Sequence, residues 1–589
     1  MYTNLKSYQI IIALLKKYGI KHLVLSAGSR NVPFVHSVEE DPFFTCYSVV
    51  DERSAAYFAM GLAQQIQAPV LISCTASTAS SNYWPAVGEA FYQGVPIIVL
   101  TSDRNPTMLH QWEDQMIDQV KMFDRHVKKS VNLPIINDDD DWLFCQRLVN
   151  EALLELNHNG TGPVHINVPM KDYCNQFEYS SLPEVTKIDR ISYYSDPILW
   201  KEKINKLQNC KRILITCGQS SHTPEILNET LSCFFKKFNT AISIEHMSNI
   251  DCEGSILTTV CMDGKYINAK KFEEFIPDLV ISFGNNIYQG MKEQLRKCCG
   301  KYEHWSIQPD GNVVDMYRSI TTIFECSSTY FFDYCNAHAD DSLKNDMQYY
   351  KLLKAYSDKV ILPDFKFSNV YAIRKIVENI PTESILHLSI NNSIRIANFF
   401  KLTPKVKVYA NIGTYGIDGC LSSLIGQAAV TDKLCFLIIG DLSFFYDMNA
   451  LRIKHIGKNI RILMINNQGG SEFYYNGSWN NQASDLHTTA RHHTKAKGWV
   501  EENNFTYLSA HDEKTFTEAY RIFMNPNADN SVFLEVFTEM KNDSDTINDF
   551  YNLSRPRDLK EEIIKEGKRI SKSILPASTL KVIKEIIKK

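Results

Sequence analysis

Short apolar runs without polar alternation, each followed by a helix-length stretch, recur along this chain and constrain its fold more than any other feature. In the first part they lie at 22–25, 47–50, 69–74, 96–101 and 164–168, with helical stretches such as 54–67 and 84–93 between them. A strand with one face in water alternates polar and apolar residues, whereas a strand covered on both faces does not. The rhythm therefore predicts parallel strands joined by right-handed helical crossovers, an α/β architecture. It loosens at 212–216, 241–245, 279–283 and 304–307, then returns at 384–388, 407–410, 434–439, 461–465 and 532–536. At 589 residues the chain exceeds what one core can serve. Three doubly wound parallel-sheet domains are expected, at 1–185, 190–360 and 364–553, with a polar linker near 180–196. The middle domain carries no Gly-rich dinucleotide fingerprint. The Lys/Glu-rich segment 554–589 has Ile and Leu at helical spacing and reads as an amphipathic tail that packs or dimerises.

Composition removes several classes of function. A net charge of −4 with no basic stripe argues against nucleic acid as a partner. The 15 cysteines include no CxxC pair, so they read as reduced thiols in a cytoplasmic protein, with Cys298-Cys299 as packing or surface groups. No apolar run approaches the roughly 20 residues a membrane helix needs. The acidic run at 138–141 reads as a loop or a helix start.

Two places combine strand ends with groups that suit chemistry. The run at 434–439 ends at Gly440, and Asp441 follows; Asn466-Asn467 leaves the next run. In open parallel sheets, ligands bind beyond the carboxyl ends of the strands. Asp441, the Asn467 amide oxygen and a backbone carbonyl at Gly469 would supply three hard donors, a set suited to Mg²⁺ with phosphate oxygens and water. Taken alone, the same residues also make an ordinary strand turn. The second place is Asp51-Glu52-Arg53, at the start of a helix just past a short apolar run. A carboxylate there favours the helix dipole, or it serves as a lone acid for a heterocyclic cofactor. The residues alone do not choose among the three neighbours.

The chain resembles the thiamine-diphosphate-dependent decarboxylase and carboligase superfamily. It is most similar there to the 2-succinyl-5-enolpyruvyl-6-hydroxy-3-cyclohexene-1-carboxylate synthases of menaquinone biosynthesis. The phrases GSR at 28–30, DERSAAYFAMGLA from Asp51, GIDG at 416–419, GDLSFFYDMNAL from Gly440 and NNQGG from Asn466 carry the resemblance. It implies Glu52 as the catalytic acid that activates the cofactor. It also implies Glu52, Thr75, Asn391, Gly413, Ile417, Gly440, Asp441, Leu442, Ser443 and Asn467 as cofactor-binding residues. Asp441, Asn467 and Gly469 would hold Mg²⁺, and Ile417 would bend the cofactor. Ser29, Arg30, Arg104, Gln115 and Arg395 would contact substrate, Arg being suited to carboxylates by its bidentate fork. The implied donor is 2-oxoglutarate and the implied acceptor isochorismate. The cofactor would lie between subunits of a homodimer or homotetramer.

Departures from the family pattern surround the expected substrate position. A substrate-reading Arg is replaced by Ile412, and the family's Gly-Asn-Ser segment reads Ser389-Ile390-Asn391. A basic pair expected near Lys292 has no clear counterpart. The run after the metal loop is Ser471-Glu472-Phe473-Tyr474-Tyr475, more polar and aromatic than in the family. A related carboligase or 2-oxo acid decarboxylase with another substrate is therefore the alternative expectation. His487, His492 and His493 read as a solvated loop, with a proton shuttle as the sharper alternative.

Overall fold

The computed structural model describes residues 1–220, 225–288, 290–475 and 484–554, so the tail expected at 554–589 lies, past Ser554, outside the described residues. The chain forms two compact units. The first comprises 1–195 and 308–326. Its six-stranded sheet contains β1 (His22–Leu25), β2 (Thr45–Ser48), β3 (Val70–Cys74), β4 (Ile97–Asp103), β5 (Ser130–Asn132) and β6 (Val164–Pro169), in the order β2-β1-β3-β4-β6-β5. Every pairing is parallel.

The uninterrupted apolar strands are explained by two cores, one on each face of this sheet. Along β4, Ile98 and Leu100 enter one core while Ile97 and Val99 enter the other. Along β3, Leu71 enters the first, and Val70, Ile72 and Cys74 the second. Successive strand residues point to opposite faces, so with both faces covered a polar residue is kept only where a partner satisfies it, as Thr101 is by His165 and Asn167. Burying each large aliphatic side chain contributes about 1.5–3 kcal/mol.

Edges depart from the expectation. The run at 47–50 is not a doubly buried strand: β2 sits at Thr45–Ser48, pairs only with β1, and Val50 is 75% exposed. The stretch expected as a linker contains β7 (Asp189–Ser192), which pairs in parallel with a strand at Ile320–Glu325. Its sequence, Asp-Arg-Ile-Ser, is too polar to announce a strand. The acidic run is a helix start: the Asp138 side chain accepts from the Asp141 amide at 2.9 Å and caps the helix Asp139–Glu155.

The second unit comprises the described residues of 196–307 and of 327–554. One run of parallel strands contains β8 (Ile213–Cys217), β9 (Thr240–Ile244), β10 (Ser255–Leu257), β11 (Leu279–Phe283) and β12 (Glu303–Ile307), ordered β10-β9-β8-β11-β12. With β13 as the strand Ile320–Glu325, the last sheet contains β14 (Ile385–Leu388), β15 (Lys407–Ala410), β16 (Cys435–Gly440), β17 (Ile460–Asn466), β18 (Thr506–Ala510) and β19 (Val532–Phe537). Its order, β15-β14-β16-β17-β19-β18, repeats that of the first sheet strand for strand. Thus β16 and β17 occupy the places of β3 and β4. The chain is an α/β protein of parallel sheets with interleaved helices. Among the described residues, no helix is long and apolar enough to cross a membrane.

Candidate active site

At the carboxyl edge of the last sheet, the ends of β16 and β17 are tied together through one carboxylate. Asp441 is 2% exposed; its Oδ1 accepts from the Leu442 amide at 2.7 Å and its Oδ2 from the Gly469 amide at 3.0 Å. Asn467, also buried, donates its Nδ2 to Asp543 Oδ2 at 2.9 Å, which fixes the amide flip and leaves its oxygen for another partner. Asp543 is fully buried and accepts further bonds from the Asn369 amide and the Thr538 hydroxyl. Burial, aided by the nearby Asp441 charge, raises its pKa to about 6 against three hydrogen bonds that lower it. Among the described residues, no group of three or more His, Cys, Asp or Glu could hold a metal. A metal here must therefore use mixed oxygen donors. Asp441, the Asn467 amide and the Gly469 carbonyl form such a set, and these hard oxygens fit Mg²⁺.

Gly469 is required on two counts. Its φ is +148°, and a Cβ added there would lie 2.7 Å from the Thr489 carbonyl oxygen and 3.1 Å from Met540 Sδ. Gly469→Ala is expected to lower stability by about 1–3 kcal/mol and to weaken metal retention. Thermal denaturation with and without Mg²⁺ checks both effects; an unchanged melting temperature would show that the loop relaxes freely.

Other expected cofactor residues gather at the same edge. Ser443 Oγ donates to the Ile417 carbonyl, joining the GIDG segment to the helix that begins at Asp441. Asn391 ends the turn after β14 with φ 61° and ψ −120°, a conformation rare outside glycine, and its carbonyl accepts from Tyr288 OH at 3.2 Å. Gly413 is exposed, while Leu442 and Ile417 are half-buried. Among the three histidines, His492 belongs here: its Nε2 stands 3.3 Å from Asp441 Oδ2, while its Nδ1 accepts from the Thr494 amide. The solvated-loop expectation holds for exposed His487 and His493, the latter paired with Gln468, but not for His492.

The remaining expected residues belong to the first unit. Glu52 is the first residue of the helix Glu52–Ile66, and Asp51 is its cap, accepting from the Ser54 amide at 2.9 Å. Capping thus accounts for Asp51 and leaves Glu52 half-buried without that duty. The loop after β1 presses on the end of β3: the Arg30 amide donates to Thr75 Oγ1 at 3.2 Å, and a Cβ on Gly28 would meet Thr75 Cβ at 2.4 Å. Arg30 lies over the Tyr173 ring, and burial followed by the nearby Arg104 charge lowers its pKa. Arg104, at the end of β4, pairs with Glu113. Two guanidiniums at one sheet edge make an anion site only partly neutralised from within. Ser29 and Gln115 are exposed.

Sequence reasoning missed the supports and one pairing. Glu535, buried in β19, accepts from Asn466, Tyr507 and the Ala496 amide, anchoring the turn after β17. Arg395 is engaged by Glu472 through both terminal nitrogens, at 2.6 and 2.9 Å. Ile412 is fully buried, and Asn286 Nδ2 donates to its carbonyl at 3.2 Å. All 15 cysteines are free thiols, Cys298 buried and Cys299 exposed.

Residues 5–122 match the family model for the thiamine pyrophosphate enzyme N-terminal TPP binding domain. Across 94% of its length the chain is 39% identical to a 2-succinyl-5-enolpyruvyl-6-hydroxy-3-cyclohexene-1-carboxylate synthase of Bacteroides fragilis, covering 99% of that protein. It is 37% identical over 94% of its length to the synthase of Phocaeicola vulgatus, covering 99% of it. It is 31% identical over 94% to that of Flavobacterium psychrophilum, covering 100% of it.

Proposed function

Because the chain belongs to the family of thiamine-diphosphate-dependent 2-succinyl-5-enolpyruvyl-6-hydroxy-3-cyclohexene-1-carboxylate synthases, we propose that it decarboxylates a 2-oxo acid and transfers the remaining acyl group to an acceptor. The reaction is of the synthase type, 2-oxoglutarate joining isochorismate. The observation that carries this reading is the likeness over nearly the whole chain together with an intact acid at Glu52 and an intact donor set at Asp441, Asn467 and Gly469.

When bound, thiamine diphosphate supplies an electron sink for the carbanion left by decarboxylation. Glu52 would hold a proton at the pyrimidine ring nitrogen. Asp441, Asn467 and the Gly469 carbonyl would hold Mg²⁺ on the diphosphate. Arg30 and Arg104 would orient carboxylates of the substrates by charge-assisted hydrogen bonds. We further infer a homodimer or homotetramer with the cofactor between subunits. A cytoplasmic location suits a chain whose cysteines are all free.

A second reading, a related carboligase or decarboxylase with a different donor, is favoured by two observations. Ile412 offers no charge, and Arg395 is already paired with Glu472. CO₂ release from a panel of 2-oxo acids, with and without isochorismate, separates the readings. The synthase reading expects release from 2-oxoglutarate and an isochorismate-dependent product. No product from that pair, with release from other 2-oxo acids, would leave only the second.

A further inference from the structure

We propose that Gln119 is a positioning residue: its buried amide joins the loop that carries Arg104 and Gln115 to the turn after Thr75, and so fixes the Arg30 and Arg104 segments before any substrate arrives. The proposal rests on the reading above in which Arg30 and Arg104 hold substrate carboxylates. Gln119 is fully buried. Its Nε2 donates to the Ser102 carbonyl at 3.1 Å and to Asn167 Oδ1 at 3.0 Å. Its Oε1 accepts from the Ser77 amide at 2.7 Å and from Ser80 Oγ at 3.3 Å. Both donors and both acceptor positions of the side chain are thus used. The partners also fix its orientation, since a backbone carbonyl can only accept and a backbone amide only donate.

The bonds run on in both directions. Asn167, in β6, donates to Asp103 Oδ2 at 2.8 Å, and Asp103 Oδ1 accepts from the Arg104 amide at 2.7 Å. The residue before the loop and the residue that closes it are therefore tied to the same Asn167 side chain. On the other side, Ser77 has φ 70° and ψ −125°. Such a backbone is rare outside glycine and persists only where its surroundings hold it; the Gln119 oxygen is one such hold. Two residues before Ser77, Thr75 Oγ1 accepts from the Arg30 amide at 3.2 Å. Gln119 thus links the segment that carries Arg104 to the turn that supports Arg30. Arg30 feels the Arg104 charge, and like charges push apart the segments that carry them. The bonds through Gln119 oppose that separation. A site held in shape beforehand loses less freedom when a substrate binds.

The test uses Gln119→Met, which keeps the length and loses the amide. It measures kcat and KM for 2-oxoglutarate and isochorismate at saturating thiamine diphosphate and Mg²⁺. KM for at least one of the two is expected to rise by at least about tenfold, since misplacing a positioning group costs up to about 10²-fold. With the chemistry intact, kcat is expected to change little. Ser130→Ala removes a bond to His165 from the same buried network without touching the loop, and is expected to keep both KM values. Unchanged KM values in the Met variant, a fall in its kcat alone, or an equal rise in the Ser130 variant would overturn the proposal. Hydrogen exchange supplies a readout independent of turnover. The amides of 76–80 and of 104–119 are expected to exchange at least about tenfold faster in the Met variant, with those of Val164–Pro169 unchanged. Gln119→Asn keeps the amide but is one methylene too short to bond both sides, and serves the same comparisons if the Met variant does not fold. Faster exchange of both segments in a protein that turns over neither substrate would remove the proposed activity yet uphold the role of Gln119. Unchanged exchange would remove that role even in an active enzyme.

Discussion

Replacing Glu52 with Gln is expected to cut turnover by about 10²–10⁴-fold, the range a positioned acid or base contributes, with little change in stability or in Mg²⁺-dependent cofactor binding. The helix start explains why the effect should be so selective. Asp51, not Glu52, caps the helix, so the variant keeps the Ser54 amide satisfied. Loss of one charge near the helix N-terminus costs at most about 1 kcal/mol. Gln has the size of Glu and can still hydrogen-bond, but it cannot carry a carboxylate's proton. CO₂ release measures the first effect, and fluorescence quenching by thiamine diphosphate measures the retained affinity. Exchange of the cofactor's C2 proton, followed by NMR, should slow in parallel with turnover. Normal exchange and turnover in the variant would show that another group activates the cofactor.

Asp441→Asn is expected to weaken Mg²⁺-dependent cofactor binding by at least about 100-fold, the upper end of what changes beside a metal site cost. Asn preserves the shape and one acceptor oxygen, so it retains part of the bonding to the Leu442 and Gly469 amides. Removing the side chain outright, as in Asp441→Ala, would leave both amides unsatisfied at about 1–3 kcal/mol each and confuse unfolding with lost binding. Titration of the Asn variant with thiamine diphosphate, in the presence of Mg²⁺ and of EDTA, separates metal-dependent from metal-independent affinity. An affinity equal to wild type in Mg²⁺ would take Asp441 out of the metal set.

The strands most legible in the sequence are those covered on both faces. The reading at 279–283 matches β11, that at 22–25 matches β1, and that at 461–465 lies within the fully buried β17. The strands it missed, β5, β10, β13 and β18, are short or carry several polar residues, as in Ser-Val-Asn and Thr-Tyr-Leu-Ser-Ala. A strand covered on one face or lying at an edge carries too little apolar sequence to be separated from a loop. β7 hid in an apparent linker for the same reason.

The sequence by itself determined the parallel α/β plan and put Asp441 and Asn467 at one sheet edge, because parallel strands all end on the same side and both residues directly follow strands. Its local order also placed Glu52 at a helix start. Tertiary structure alone decided the partners. Arg395 meets a carboxylate 77 residues away, and Asn467 is oriented by one 76 residues away. Side chains that far apart in the chain meet only through the way helices close over a sheet, and no local spacing encodes which of many charged residues will arrive.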